Sequence, residues 1–316
     1  MTRYVLVRLG NGVFVLWAAL TVSFLVLHLV PGDPVSVMLR GNGGEGSSVD
    51  PAAADALRAD LGLDRPPHEQ YLDFVWQAVR LDFGTSFATG DEVSAVLGRA
   101  LPSTLELAAA SLLLALVLGV AAALAASLLP TAPLRSAVLS ATVVGNAVPT
   151  FWTGVVLLQV FSFRLGWFPA FGEGDLSHLV LPAFALALPG IGLLAQVLGR
   201  SLRTALGEPY VRTARAKGAS RLRAVTVHAL RNAAIPAMTL FGLMIGGIVA
   251  GAIITETVFS RPGLGALTAK AIDTHDFPVI RALVFLAGAL YVLVNLAVDL
   301  VYPRVDPRIV LTAGAT

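Results

Sequence analysis

Positive charge in this chain is concentrated in one short segment. From Arg212 to Asn232 the sequence reads RTARAKGASRLRAVTVHALRN, with several arginines and one glycine near the middle. A basic segment of this kind can bind anionic lipid, nucleic acid or another protein. Few aromatic residues alternate with the arginines and apolar stretches lie on both sides, which argues against nucleic acid as a partner. Lipid and protein remain as the two candidates.

Residue patterns that carry enzymatic chemistry are missing from the sequence. It contains no GxxxxGK[ST] loop that could hold nucleotide phosphates, and its apolar stretches contain no HExxH, Ser/His or paired-aspartate site. His28, His178 and His275 do not have the spacing of metal ligands. With no cysteine, the chain has neither disulfides nor thiolate metal sites. We therefore predict no catalytic residue, no metal and no cofactor bound by this chain.

The composition is that of a membrane protein. Of 316 residues, 56% are hydrophobic and 13% are charged, whereas soluble domains have about 25% charged residues. The mean hydropathy is +0.78. Runs of roughly 20 apolar residues can cross a bilayer. Six such runs predict transmembrane helices, at about Leu9–Val30, Leu105–Leu129, Ala137–Phe161 with a break at Pro149, Leu179–Gly199, Ile235–Thr255 and Val279–Val301.

The loop charges predict the orientation of these helices. Segment 200–234 is strongly basic, with Glu208 as its one acidic residue, whereas acidic residues outnumber basic ones in segment 31–101. Because cytoplasmic loops carry an excess of Lys and Arg, both termini are expected in the cytoplasm. The domains expected are an N-terminal transmembrane helix (1–30), an extracytoplasmic helical segment (31–101), a core of five transmembrane helices (102–302) and a cytoplasmic tail (303–316).

Short helices are predicted in both long loops. In the external segment, Asp50-Pro51 begins one helix, a second covers about Pro67–Leu81, and Asp91 caps a third that leads into the second span. Tyr71, Phe74, Val75 and Val79 are expected on one face of the second. This segment covers the outer ends of the spans or docks a partner; the sequence leaves both open.

The basic segment is predicted to form two helices joined at Gly218. The first extends from Glu208 to Lys217, and the second from Arg221 to Asn232, both on the inner membrane surface. Leu222, Val225 and Ala229 are expected on one side of the second helix, with Arg221 and Arg223 toward water. Two interpretations remain open: ordinary positive-inside bias, or a lever moved by a cytosolic partner.

A family resemblance favours the lever. The order Glu208, Ala214, Gly218 and Leu230 resembles the "EAA" loop of permeases of ATP-binding-cassette (ABC) transporters, although Arg212 and Arg231 stand where the general motif has Glu and Pro. The form YVRTARAKG…HALRNAAIP is similar to the dipeptide and oligopeptide branch. So are, in chain order, VPGDP (30–34), LGLDRPPHEQY (61–71), DFGTSF (82–87), LPSTLELA (101–108), ETVFSRPGLG (256–265) and YPRVDPRI (302–309).

The resemblance implies an all-α integral membrane protein with the six-helix type I ABC importer permease fold and a small external helical insertion between helices 1 and 2. It implies a B-type permease subunit for dipeptides or oligopeptides in the plasma membrane of a prokaryote. Its partners would be a homologous C-type permease, two ATPase subunits that bind ATP and Mg, and an external substrate-binding protein. Coupling to the ATPase would fall within 208–232, at Glu208, Arg212, Ala214, Arg215, Ala216, Lys217 and Gly218.

Polar residues within the spans are candidates for the translocation path, because polar groups in lipid are costly and usually face the protein interior. Asn146, Gln159 and Gln196 could line the path or hydrogen-bond between helices. Glu256, at the outer end of the fifth span, could be a gate or an interfacial carboxylate. Glycines on the fifth span have the spacing of close helix packing, plausibly against the partner permease: Gly242, Gly246, Gly247 and Gly251.

Two other classes of membrane protein predict sequence features that differ from those of a permease. A stand-alone ion-coupled secondary transporter predicts an inverted repeat and paired intramembrane carboxylates, and the sequence shows neither. A membrane-embedded enzyme predicts a catalytic site within the spans, which is not found.

Overall fold

The structure, a computed structural model, describes residues 2–29 and 64–305, and this part of the chain is almost entirely helical. The predicted helix after Asp50-Pro51 and the tail beyond 305 lie outside it. Two π-helical stretches cover Leu158–Arg164 and Ala224–Ala229. The α-helices are α1 (Thr2–Leu29), α2 (Pro67–Arg80), α3 (Val93–Leu128), α4 (Ala132–Ala147), α5 (Thr150–Leu157), α6 (Ser177–Leu206), α7 (Pro209–Ala216), α8 (Arg221–Arg223), α9 (Leu230–Val258), α10 (Leu264–Asp273) and α11 (Phe277–Val305).

The predicted membrane spans are confirmed with one qualification. Within the described ranges, five helical stretches are long and apolar enough to cross a bilayer. A sixth crossing results if α4 and the helix that follows it count as one span. The five stretches are Val7–Leu25, Val93–Leu128, Ser177–Leu206, Arg221–Ile248 and Phe277–Val294.

The third predicted span is bent sharply rather than merely interrupted. The helix pair Ala132–Ala147 and Thr150–Arg164 meets at an angle of 102°. Val148 is extended, with φ −98° and ψ 128°, and Pro149 follows it with ψ 138°. A residue before proline is pushed out of the helical region, and proline has no N–H to continue the hydrogen-bond ladder. The break at Pro149 was therefore predictable, but the size of the bend was not.

By its internal contacts the chain divides into two compact units. One holds the described residues of Met1–Pro102 and Ala266–Leu296, and the other holds Ser103–Gly265 with the described residues of Ala297–Thr312. In the first unit, α2 packs against α1. The second unit contains the basic segment.

In the first unit a buried carboxylate orders the loop that contains DFGTSF. Asp276 is 2% exposed. It accepts hydrogen bonds from the Ser86 hydroxyl at 2.5 Å and from the backbone N–H groups of Phe87 at 3.1 Å and Ala88 at 3.3 Å. Three donors satisfy a carboxylate that would otherwise be expensive to bury. Asp276 therefore holds this loop through one side chain and two backbone groups.

Two details of the external segment differ from expectation. Helix α2 confirms the predicted Pro67–Leu81 helix within one residue, and Phe74 is on its buried face. Val79 is 67% exposed, however, and Ala78 is buried instead. Asp91, the predicted cap, lies two residues before Val93, where the helix begins. Its carboxylate forms an ion pair with Arg99, and the helix continues without a break into the second span.

In the second unit α6 is the central helix. It packs against α4, α5 and α9, and two glycines allow α4 and α6 to approach closely. A Cβ on Gly192 would overlap the carbonyl oxygen of Thr142, and one on Gly145 would lie 2.8 Å from Leu188. On α9, a Cβ on Gly251 would lie 2.8 Å from the Leu186 side chain, so this glycine packs within the chain. Gly247 has open space beside it, and its contact with a partner permease stays a prediction.

Helix α6 begins at a small polar cluster. The Asp175 carboxylate accepts hydrogen bonds from the Ser177 backbone N–H at 3.0 Å and from the His178 ring at 3.2 Å. The Ser177 hydroxyl, followed by His178, holds the pKa of the Asp175 carboxyl below its usual value. A charged carboxylate at this position suits the positive end of the helix dipole.

Candidate functional site

The first helix of the basic segment, α7, is anchored in the hydrophobic core of the second unit by one apolar side chain. Helix α7 begins at Pro209, where the missing N–H costs nothing. Val211 is fully buried in a cluster that includes Leu202, Ala205 and Val225. The other side of α7 is exposed and carries Arg212 and Arg215. A short helix with a buried anchor and a charged outer face is a rigid projection rather than a loose loop.

The turn after α7 depends on glycine. Gly218 has φ +94°, a region that residues with a side chain rarely adopt. The next helix is capped by Ser220, whose hydroxyl accepts a hydrogen bond from the backbone N–H of Arg223 at 3.3 Å. The predicted helix–glycine–helix arrangement is therefore confirmed for its first helix and its turn.

The second predicted helix, Arg221–Asn232, is wrong as a separate surface element. Helix α8 continues through the π-helical stretch Ala224–Ala229 into α9, so the hairpin joins the fifth span directly. No helix-breaking residue separates the two, and Pro236 itself lies inside α9. Val225 and Ala229 are buried as predicted, whereas Leu222 is 57% exposed.

A groove lies between the two arms of the hairpin. Its volume is ≈ 430 Å³. None of its lining residues is acidic, and three have basic side chains: Lys217, Arg223 and His228. Across the hairpin, the Asn232 side-chain amide donates a hydrogen bond to the Tyr210 hydroxyl at 3.0 Å. The remaining lining residues are Tyr210, Thr213, Ala214, Gly218 and Ala219.

Arg221 attaches the hairpin to the second predicted span, a role that the sequence did not reveal. Its guanidinium donates hydrogen bonds to the carbonyl oxygens of Ser127 at 3.0 Å and Leu129 at 2.7 Å. These carbonyls lie at the end of α3, where no intrahelical donor reaches them and where the helix dipole favours a cation. Arg221 is exposed, as predicted, and in addition its guanidinium holds the end of α3.

Replacing Arg221 tests this attachment. In Arg221→Gln, the two carbonyls lose a charged donor, and we expect a loss of about 1 kcal/mol in stability. Arg221→Lys, which keeps the charge, should recover part of the loss. Thermal unfolding in detergent checks stability. Arg223→Gln removes the same charge from an exposed neighbour and should leave the unfolding temperature unchanged; equal losses from both substitutions would contradict the role of Arg221.

The predicted pathway residues have different surroundings. Asn146 and Gln159 are exposed, and whether they line a path stays a prediction. The Gln196 amide donates to the Leu139 carbonyl oxygen at 2.6 Å, so it joins α6 to α4. Glu256 is fully buried and does not face an open path in this conformation. Within the described residues, no group of three His, Asp or Glu side chains could hold a metal ion.

Glu256 instead organises the start of α10. Its carboxylate accepts hydrogen bonds from the Thr104 hydroxyl at 2.6 Å and the Gly265 backbone N–H at 2.7 Å. Thr104 in turn accepts one from the Leu264 N–H at 2.8 Å. A Cβ on Gly263 would overlap this carboxylate. The glycines of ETVFSRPGLG are therefore needed for close approach to a buried charge.

A buried arginine lies beside this cluster. Arg261 is 2% exposed, and its guanidinium contacts Ser103 at 3.4 Å, Glu106 at 3.1 Å and Glu173 at 3.5 Å. Both glutamates are about half exposed. The arginine thus links α3, the turn after α9 and the segment before α6. Apart from its place in the ETVFSRPGLG stretch, nothing in the sequence distinguishes Arg261 from other arginines.

Comparison with known families matches nearly the whole chain. The family described as "Binding-protein-dependent transport system inner membrane component" matches residues 115–311. Its companion, described as "Binding-prot-dependent transport system membrane comp, N-term", matches residues 1–108. The first match includes the hairpin and Glu256, and the second includes α1, α2 and Thr104.

Curated relatives and a solved structure agree with these matches. The di/tripeptide transport system permease protein DppB of Pseudomonas aeruginosa (strain UCBPP-PA14) is 37% identical, over 98% of this chain and 99% of the relative. The glutathione transport system permease protein GsiC of Salmonella choleraesuis (strain SC-B67) is 36% identical, over 98% and 99%. A chain of the MetNI methionine ABC transporter, solved in inward-facing conformations, shares the fold with a TM-score of 0.57 at 18% identity, covering 67% of this chain and 96% of that one.

Proposed function

Because the chain belongs to the binding-protein-dependent transport system inner membrane components, as a permease subunit of an ABC importer, we propose that its basic hairpin is the site where a separate ATPase subunit binds. In this proposal ATP and Mg are bound by two such subunits, and a homologous permease completes the translocation path. An external binding protein delivers the substrate. The ion-coupled secondary transporter considered above is set aside, because the relatives and the shared fold are those of ABC permeases.

The observation that carries the proposal is the rigid attachment of the hairpin. Val211 anchors α7 in the core, Arg221 binds the end of α3, and the second arm continues into α9. Movement of α7 by a bound subunit would therefore be transmitted to at least two spans. A positively charged loop that only contacted lipid headgroups would need none of these attachments.

The proposed orientation places the hairpin in the cytoplasm, as the loop charges predict. Arg212, Arg215 and Lys217 are all exposed on or next to α7. The ATPase surface that receives them is expected to carry acidic side chains, because complementary charge steers encounter and fixes register. Both termini are then cytoplasmic as well.

The proposed cargo is a small peptide. The relatives transport di- and tripeptides or glutathione, according to their names. The candidate spans contain few charged residues, which suits zwitterionic peptides of varied side chains. The binding protein would make most of the selection among them.

Reconstitution tests the proposed function. Liposomes that contain this chain, its partner permease and both ATPase subunits should accumulate dipeptide only when the binding protein and ATP are present. Liposomes without the ATPases should show no uptake under a proton or sodium gradient. Gradient-driven uptake by the permeases alone would contradict the proposal and favour secondary transport.

A further inference from the structure

Helix α2 carries an apolar face that no described part of the chain covers. Leu72 is 64% exposed, Trp76 56% and Val79 67%. Their spacing of four and three residues places them along one side of the helix. Lone exposed apolar residues are ordinary on protein surfaces, but an aligned stripe with a tryptophan at its centre indicates a binding surface.

The neighbouring side of α2 is packed against the first span. Phe74 and Ala78 are buried there. The Tyr71 hydroxyl is hydrogen-bonded to the Thr21 hydroxyl at 2.7 Å, and the rings of Phe24 and Tyr71 lie 5.3 Å apart in an edge-to-face arrangement. These contacts fix which way the exposed stripe faces.

A third side of the helix is polar. Glu69, Asp73 and Gln77 lie there, and Asp73 forms an exposed ion pair with Arg65 at 3.0 Å. The surface of α2 thus has three sectors: one against α1, one apolar and uncovered, and one charged. Three sectors are typical of a helix that lies in the plane of a membrane beside a helical bundle, with protein, lipid and water each on one side.

The contacts with α1 also fix the depth of α2. Thr21 and Phe24 are in the last turns of the apolar stretch Val7–Leu25. One to two turns earlier on α1, Val13, Phe14 and Trp17 are exposed, as expected of a surface that meets lipid. The uncovered stripe of α2 is therefore next to the end of a lipid-exposed apolar surface, at the level where hydrocarbon gives way to headgroups.

We propose that α2 is an interfacial membrane helix, with Leu72, Trp76 and Val79 inserted among lipid acyl chains at the end of α1 remote from the N-terminus. The Arg80 guanidinium lies 4.6 Å from the centre of the Trp76 ring. An aromatic ring at the boundary with a cation beside it is the arrangement that suits lipid headgroup phosphates. The stripe carries no charge of its own, which suits hydrocarbon better than the surface of a soluble protein.

Spin labelling tests this placement, because the chain has no cysteine and each substitution therefore gives one label when the partner subunits are also made cysteine-free. Leu72→Cys and Val79→Cys are labelled with a nitroxide in the full transporter, reconstituted in phosphatidylcholine and phosphatidylglycerol liposomes. Collision rates are measured with oxygen, which concentrates in hydrocarbon, and with a nickel chelate, which stays in water. Gln77→Cys, in the polar sector of the same helix, is the matched control.

At both test positions we expect oxygen to relax the label more than the nickel chelate does, and the reverse at the control position. Greater relaxation by nickel at Leu72→Cys and Val79→Cys would overturn the proposal by placing the stripe in water. Low access to both reagents would overturn it equally, because the stripe would then be covered by the partner permease or the binding protein. None of these outcomes depends on the ATPase-binding role of the hairpin.

Discussion

Replacing Gly218 with valine is expected to leave ATP hydrolysis largely intact while uptake falls by roughly tenfold or more. At φ +94° the backbone strain of a β-branched residue destabilises the turn by about 1–3 kcal/mol. Nothing lies within 4 Å of a Cβ built at this position, so the cost is strain and not a clash. The exposed turn can relieve that strain by changing its path, which would move α7 relative to α9.

The coupling ratio, substrate moved per ATP hydrolysed, is the quantity to measure. Gly218→Asn should lose less than Gly218→Val, because asparagine tolerates positive φ better than other residues. Gly166→Val is the matched control. Gly166 also has a positive φ, of +64°, and open space beside it, but it lies far along the chain from the hairpin. An unchanged ratio in Gly218→Val, or an equal loss in the control, would contradict a coupling role for this turn.

Replacing Glu256 with alanine is expected to be the most destabilising single change, at about 3 kcal/mol. The substitution leaves the Thr104 hydroxyl and the Gly265 N–H without an acceptor in a site closed to water. Glu256→Gln keeps one acceptor oxygen and should cost about 1 kcal/mol. Thermal unfolding of the detergent-solubilised chain measures both values.

A double-mutant cycle isolates the close approach behind this effect. Gly263→Ala alone should destabilise strongly, because its Cβ would overlap the Glu256 carboxylate. In the Glu256→Ala background the same change should cost much less, since the overlapping group is gone. Gly98→Ala, in a helix with open space around it, should be neutral or slightly stabilising. Additive losses at positions 256 and 263 would show that the contact does not matter.

The sequence was most informative where a feature is local. Runs of apolar residues located the spans, since each needs only its own length to cross a bilayer. Pro209 and Gly218 marked the ends of α7, and Pro149 marked the break in the third span, because these residues restrict or extend backbone geometry by themselves. The family resemblance added a predicted partner for the hairpin, since residue type alone left lipid and protein both open.

The sequence failed where a side chain finds its partner far along the chain. Arg221 is exposed as expected, but its two carbonyl acceptors, 94 and 92 residues away, were not predicted. Glu256 was predicted as a gate or an interfacial carboxylate, and its hydrogen bond with Thr104, 152 residues earlier, was not predicted. Neither pairing leaves a periodic pattern. The predicted positions of Leu222 and Val79 on a packed face were wrong for a related reason. An apolar residue in an interfacial or hairpin helix need not face the protein core.

Cross-linking from Ala216 tests the central claim, that the hairpin is held by an ATPase subunit, most directly. Ala216 is exposed at the end of α7, and the chain has no other cysteine to compete with Ala216→Cys. A photoactivatable maleimide attached there, in the assembled transporter, should form an adduct with the ATPase subunit, whereas the same probe at Leu72→Cys should not. Labelling of Ala216→Cys only from the external side of intact cells, or an adduct only with the substrate-binding protein, would contradict the account.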